Sequence, residues 1–183
     1  MKVTVVIDNY VPPSIRGPFL AEHGLSLLIE SDGKRVLFDT GQSGAVVHNL
    51  SLLGVHPSSL DAIVLSHGHY DHVGGLMSVL QHAAKPLPVY AHSEIFQTRL
   101  SVAGKQHYVG IPFSKPQLTG LGAQWVLSDQ PAEVIPGLWF SGQVPRQTDY
   151  EKGDSRLFAC QSDGCCVEDS IPDDVSLFHA SEE

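Results

Sequence analysis

The chain has 183 residues, of which 42% are hydrophobic and 17% charged, with a formal net charge of −9 and a pI near 5.5. That is the composition of an ordinary soluble globule, long enough to bury one core as a single domain over residues 1–183. With no basic stripe and no apolar run near the ~20 residues of a membrane span, neither nucleic acid nor membrane is an expected partner.

The opening Met1-Lys2-Val3-Thr4-Val5-Val6-Ile7-Asp8 has one basic residue and reaches an acidic one too soon for a signal peptide. Val3 to Ile7 read as a β-branched strand, and Asn9 to Pro18 as a Pro/Gly-containing loop. Leu25 to Glu30 and Arg35 to Asp39 read as two further strands, joined by an Asp-Gly hairpin turn in Ser31-Asp32-Gly33-Lys34. Gly41 to Gly44 open a helix with Val46, Val47, Leu50 and Leu53 on one face. Leu60 to Leu65 form a short apolar run of strand character. Beyond it, Leu76, Val79 and Leu80 recur at helical spacing.

Further on, Val89 to Ala91 read as a strand ending at His92, with a helix expected from Ser93. Gly104 to Gly122 read as a long loop with a helical turn around Lys115 to Leu121, the kind of loop that often serves as a lid or binding loop. Gln124 to Leu127 and Leu138 to Ser141 read as strands. Leu157 to Cys160 and Cys165 to Val167 read as a hairpin about Ser162-Asp163-Gly164, and Val175 to Phe178 as a last strand. Antiparallel strands followed by alternating helix and strand fit an α+β sheet with helices on one face. Cys160, Cys165 and Cys166 make an odd count without paired C-x-x-C spacing. They read as reduced thiols in a cytoplasmic protein rather than as a metal site.

Between the Leu60–Leu65 strand and the Leu76 helix lies Ser66-His67-Gly68-His69-Tyr70-Asp71-His72-Val73-Gly74-Gly75. Three imidazoles and a carboxylate fall within six residues, on a strand-to-helix loop where α/β proteins place their chemistry. In an extended loop His67 and His69 point to the same side, and Asp71 and His72 follow the turn toward the same space. Imidazole suits zinc, and to a lesser degree iron or manganese; a carboxylate in the set favours a hydrolytic site over a structural one.

The H-x-H-x-D-H pattern resembles the signature of the metallo-β-lactamase superfamily. Further segments resemble one branch of it: Glu22 to Glu30, Leu37 to Gly44, Val64 to Ser66 and Val144-Pro145-Arg146. That branch includes proteins resembling the dihydropterin–aminobenzene ribofuranosyl phosphate synthase of methanopterin biosynthesis. The resemblance implies an αββα sandwich. It implies a metallo-hydrolase with a dinuclear zinc site, His67 and His69 on one ion and Asp71 and His72 on the other. Asp71 would be catalytic, orienting a metal-bound hydroxide toward an ester, phosphoester, lactone, pterin or other phosphorylated small molecule. A binding domain without turnover and a di-iron redox protein of the same fold are the alternatives.

Other residues have two readings each. Asp39, in Phe-Asp-Thr-Gly, is either a turn residue or, by the resemblance, the group that orients a motif imidazole. His92 ends a strand beside the motif strand and is either a substrate contact or a surface histidine. His23, in Glu-His-Gly, has the same two readings. Arg146 follows a strand and either grips a phosphate or carboxylate through its fork or forms a surface ion pair. His48, His56, His82 and His107 have no partner pattern and read as surface residues, and His179 as an unfavoured extra ligand. The resemblance also implies later ligands, the first in a Cys-Ser-His-like stretch. No such stretch occurs before Glu183, so the chain reads as C-terminally truncated, with weakened zinc binding expected.

Overall fold

The computed structural model describes residues 1–148, 150, 153–161 and 163–180. Strands β1 (Lys2–Ile7), β2 (Ser26–Ser31) and β3 (Lys34–Phe38) form an antiparallel meander, with Asp32 and Gly33 both at positive φ in the tight turn that joins β2 to β3. Helix α1 (Ala45–Leu52) returns the chain to β4 (Ala62–Val64), which pairs parallel to β3. Helices α2 (Tyr70–Val73) and α3 (Leu76–Ala83) then lead to β5 (Leu87–Ala91), parallel to β4. Beyond β5 come β6 (Thr98–Ala103), β7 (Lys105–Tyr108), helix α4 (Lys115–Gly120) and β8 (Ala123–Leu127). The last strands are β9 (Ala132–Ile135), β10 (Leu138–Phe140), β11 (Leu157–Cys160), β12 (Cys166–Glu168) and β13 (Leu177–His179).

The main sheet has the order β1-β2-β3-β4-β5-β8. Its two faces are covered differently because successive side chains on a strand alternate. Leu28, Leu37, Ile63 and Val89 face α1 and α3 and pack with Val46, Leu50, Leu76 and Leu80. Their neighbours Ile29, Val36, Ala62 and Val64 face the other way, onto Ile135, Leu138 and Phe140 of a small sheet of order β13-β10-β9. The layers are therefore helix, sheet, sheet, an α+β architecture. All three residues of β4 are buried, which is why that strand reads as an unbroken apolar run. A third sheet, β12-β11-β6-β7, stands at the C-terminal end of the parallel strands. No helix among the described residues is long and apolar enough to cross a membrane.

Three expectations are corrected. No helix starts at Ser93: after a short turn the chain enters β6, whose hydrogen-bonding partner β11 lies some sixty positions further on. The supposed loop from Gly104 contains β7, a strand exposed along its whole length and so without an apolar alternation to betray it. Strand β9 also escaped the sequence reading. The Lys115 helical turn is present as α4, closed by a Ser114/Gln117 capping box.

The cysteines are also corrected. Cys160 and Cys166 face each other across the β11–β12 pair and form a disulfide, leaving Cys165 free and exposed. The odd count therefore no longer argues for a reducing compartment. Ser162, in the turn between these strands, lies outside the described residues.

Candidate metal centre

The motif begins where β4 ends. The chain bends at Ser66 and Gly68 and reaches His69, which stands at the N-cap of α2 with extended φ −85° and ψ 145°; Asp71 and His72 lie in the first turn of that helix. A bent loop followed at once by a helical turn brings the side chains back onto one another. The His67 ring is 4.7 Å from His69, edge to face, and 4.2 Å from His72, centroid to centroid. Asp71 Oδ2 lies 3.6 Å from His72 Nε2 and 3.4 Å from Nε2 of the exposed His23.

Asp39 sits beneath this group. It is fully buried at the end of β3, with φ +57°, a backbone conformation that Asp tolerates better than most residues. Its carboxylate accepts hydrogen bonds from the Ser66 amide, the Ser66 hydroxyl and His72 Nδ1, each at 2.7 Å. The Ser66 hydroxyl, donating to Asp39, in turn accepts from His67 Nδ1 at 2.9 Å. The network thus assigns the protons of His67 and His72 to Nδ1 and turns both Nε2 lone pairs away from Asp39.

Electrostatics follow the burial. Burial, with the neighbouring His72, His69 and Arg99 charges, pushes His67 down to about 2. Burial and Arg99 also lower His69. Burial opposes charge on His72 as well, but the bond and charge of Asp39 outweigh it and hold that imidazole above its ordinary value. Asp39 itself is raised by burial, against the pull of His72 and Ser66.

A divalent transition metal requires neutral imidazoles and carboxylates with free lone pairs. His67 and His69 are held neutral, and the buried Nε2 of His69 has no hydrogen-bond partner, an atom expected to find one unless an ion takes its place. Among the described residues no group of three or more His, Cys, Asp or Glu side chains is set to hold one ion. His67 and His69 meet the requirement for neutral rings; the proton that Asp39 favours on His72 would have to leave before its Nε2 could join Asp71.

The other expected residues fall as follows. His92 is buried, not on the surface; its Nδ1 accepts the Glu94 amide and its Nε2 has no partner. Arg146 donates to the Ser170 carbonyl and pairs with Asp174 at 3.4 Å. Asp174 is near enough to feel the charges of Asp39 and His72, so Arg146 stands at the rim of the group. His179 lies exposed on β13, paired with Leu138. His48, His56 and His82 bond to Pro18, Ser58 and Ser78. The sequence reading missed Arg99, Asp169 and Asp173. Arg99 is fully buried and pairs with both carboxylates, and Asp169 Oδ2 lies 3.9 Å from His69 Nε2. The acidic run at 168–174 was the one visible signal for them.

Comparisons with known proteins show the family to which the chain belongs. The model of the metallo-beta-lactamase superfamily matches residues 21–154. A 7,8-dihydropterin-6-methyl-4-(beta-D-ribofuranosyl)-aminobenzene-5′-phosphate synthase of Methanocaldococcus jannaschii is 32% identical over all of this chain and 65% of its own. An uncharacterized protein of the same organism is 34% identical over 96% of this chain and 64% of its own. A crystal structure described as a metal-dependent hydrolase of the beta-lactamase superfamily superposes with a TM-score of 0.68 at 25% identity, over 96% of this chain and 59% of its own. The chain thus spans somewhat less than two thirds of the length of these relatives.

Proposed function

Because the chain belongs to the metallo-β-lactamase superfamily, we propose that its motif is the metal-binding half of a hydrolase-type centre acting on a small molecule. His67 and His69 would hold one zinc ion through Nε2, and Asp71 and His72 a second. The observation that carries this reading is the buried, unpartnered Nε2 of His69 beside the neutral ring of His67. When bound, the ions supply Lewis-acid chemistry and a nucleophile at neutral pH, by lowering the pKa of water from about 16 to roughly 7.

The chain's own residues do the rest. Asp39, through Ser66 and His72, fixes the two rings so that Nε2 and not Nδ1 meets the ion; such partners typically contribute 10–100-fold in metal affinity. Asp71 keeps a partly exposed carboxylate where it can orient an attacking water, and His23 at 3.4 Å can pass the released proton to solvent. Arg146, at the rim, offers a guanidinium to a phosphate if Asp174 gives way. The synthase relative, whose name joins a dihydropterin to a ribofuranosyl-aminobenzene phosphate, makes pterins and phosphorylated small molecules the first substrates to test.

A second reading, a metal-binding domain without turnover, is favoured by the lack of any three-donor group among the described residues, since a catalytic zinc normally keeps three protein ligands. One experiment separates the two. Zinc titration by calorimetry is run on the chain and on a His67→Ala/His69→Ala variant, followed by assays on a phosphodiester, a lactone and a phosphorylated pterin. Zinc binding lost in the variant, with turnover, supports the enzyme. Binding without turnover supports the second reading, and no binding in the parent chain refutes both.

A further inference from the structure

The described chain places its largest fully buried side chain, Arg99, directly behind the motif. Arg99 lies on β6, opposite Ala159 of β11. Its Nε donates to Asp169 Oδ2 at 2.9 Å and its Nη2 to Asp173 Oδ1 at 2.6 Å, and all three side chains are wholly buried. Burying three charged groups costs desolvation that pairing returns only in part, so such a cluster is a poor means of gaining stability alone. Its most defensible use is to select one backbone arrangement.

The arrangement it selects is that of the motif. The second oxygen of Asp173 accepts the amide of Gly68 at 2.8 Å, and Gly68 is the residue between His67 and His69. Two residues on, the Val175 amide donates to the carbonyl of Ser66 at 2.9 Å. The segment 169–175 therefore runs as a strap along residues 66–68. From the other side the β6–β7 hairpin gives the carbonyl of Val109 to the amide of Tyr70, and the Arg99 carbonyl accepts the Val109 amide. The contact leaves no slack. A Cβ at Gly68 would collide with the Ile95 carbonyl and with the Arg99 guanidinium, so the middle residue of the H-x-H triplet must be glycine here. The free Nη1 of Arg99 is thus pressed against the loop rather than open to a ligand.

We propose that Arg99, Asp169 and Asp173 are positioning residues for the His67/His69 pair. They clamp the 66–68 backbone between the 169–175 strap and the β6–β7 hairpin, and so set the angle at which the two rings meet an ion. The consequence for metal binding rests on the function proposed above; the clamp itself does not.

The test uses Arg99→Lys, which keeps the charge but cannot fork to two carboxylates, and Asp173→Asn, which keeps an oxygen for the Gly68 amide. Amide hydrogen exchange at Gly68 is followed by NMR in the metal-free protein. Cobalt(II) affinity and the cobalt visible spectrum are then measured as probes of ligand geometry. Arg99→Lys is expected to speed Gly68 exchange at least tenfold, weaken cobalt about 10–100-fold and change the spectrum. Asp173→Asn is expected to keep more of the Gly68 protection than Arg99→Lys does. If Gly68 exchange, affinity and spectrum are unchanged in Arg99→Lys, the clamp is overturned. If the parent chain takes up no cobalt, the metal reading fails, while the Gly68 exchange still decides the clamp. If Arg99→Lys does not fold, Asp173→Asn decides it: protection and cobalt affinity at parental values would then require the Asp173–Arg99 ion pair to be idle, which overturns the proposal.

Discussion

Replacing Asp39 by alanine tests the support beneath the motif. The substitution leaves the buried Ser66 amide without an acceptor, which costs about 1–3 kcal/mol. It also removes a charge-assisted bond to His72, worth about 1.5–3 kcal/mol. At φ +57° alanine adds about 1 kcal/mol that Asp largely avoids. The Ser66 hydroxyl does not enter, because without Asp39 the neutral His67 can change tautomer and accept it at Nδ1. Against these stands relief from burying a carboxylate that burial holds above its usual range, so the low end of the sum is expected. The net expectation is a loss of about 3 kcal/mol, a large part of the 5–15 kcal/mol typical of a domain. Asp39→Asn keeps an acceptor for the Ser66 amide and tolerates the positive φ, so about 1–2 kcal/mol is expected. Urea unfolding of the metal-free parent and both variants gives these values from the midpoints. A loss below about 0.5 kcal/mol in Asp39→Ala, or a greater loss in Asn than in Ala, would refute the account of Asp39 as the base of the network.

Three further outcomes are expected. Gly24 has φ +128°, and a Cβ there would collide with the Asp71 carbonyl; Gly24→Ala should lose about 2–3 kcal/mol in urea unfolding and weaken zinc binding by shifting the start of α2. Burial pushes Asp173 up from 3.8 to about 6 against the pull of Arg99 and the Gly68 amide. The folded state then holds that proton more tightly than the unfolded chain, so the contribution is complete below about pH 4 and lost as pH rises through 6. Unfolding at pH 4 and pH 7 should accordingly show the advantage of the parent over Asp173→Asn shrinking by on the order of 3 kcal/mol with rising pH. The Cys160–Cys166 disulfide closes a loop with a sequence separation of 6, so a reductant should lower stability by about 2 kcal/mol through chain entropy, and an unchanged urea midpoint would mean that the bond is not closed in solution.

What the sequence alone determined was whatever depends on neighbours along the chain. The Asp32-Gly33 turn, the two-faced burial of β4 and the helical stripe of α3 are legible because alternation and period are local properties. So is the crowding of His67, His69, Asp71 and His72, since six residues across a strand-to-helix junction have little freedom to separate. Asp39 was reachable from its strand end, although the parallel pairing of β3 with β4 is what lays it under Ser66. The tertiary structure decided the rest. Strand β6 carries no signal of its own against a helix, and its ladders with β11 and β7 make it a strand. Cys160 and Cys166 meet because β11 and β12 pair in that register. Arg99 finds Asp169 and Asp173 at separations of 70 and 74 residues, and Asp173 finds Gly68 across 105. Contacts at that distance depend on loop closure and on what else is already packed, and no local pattern of residues encodes either.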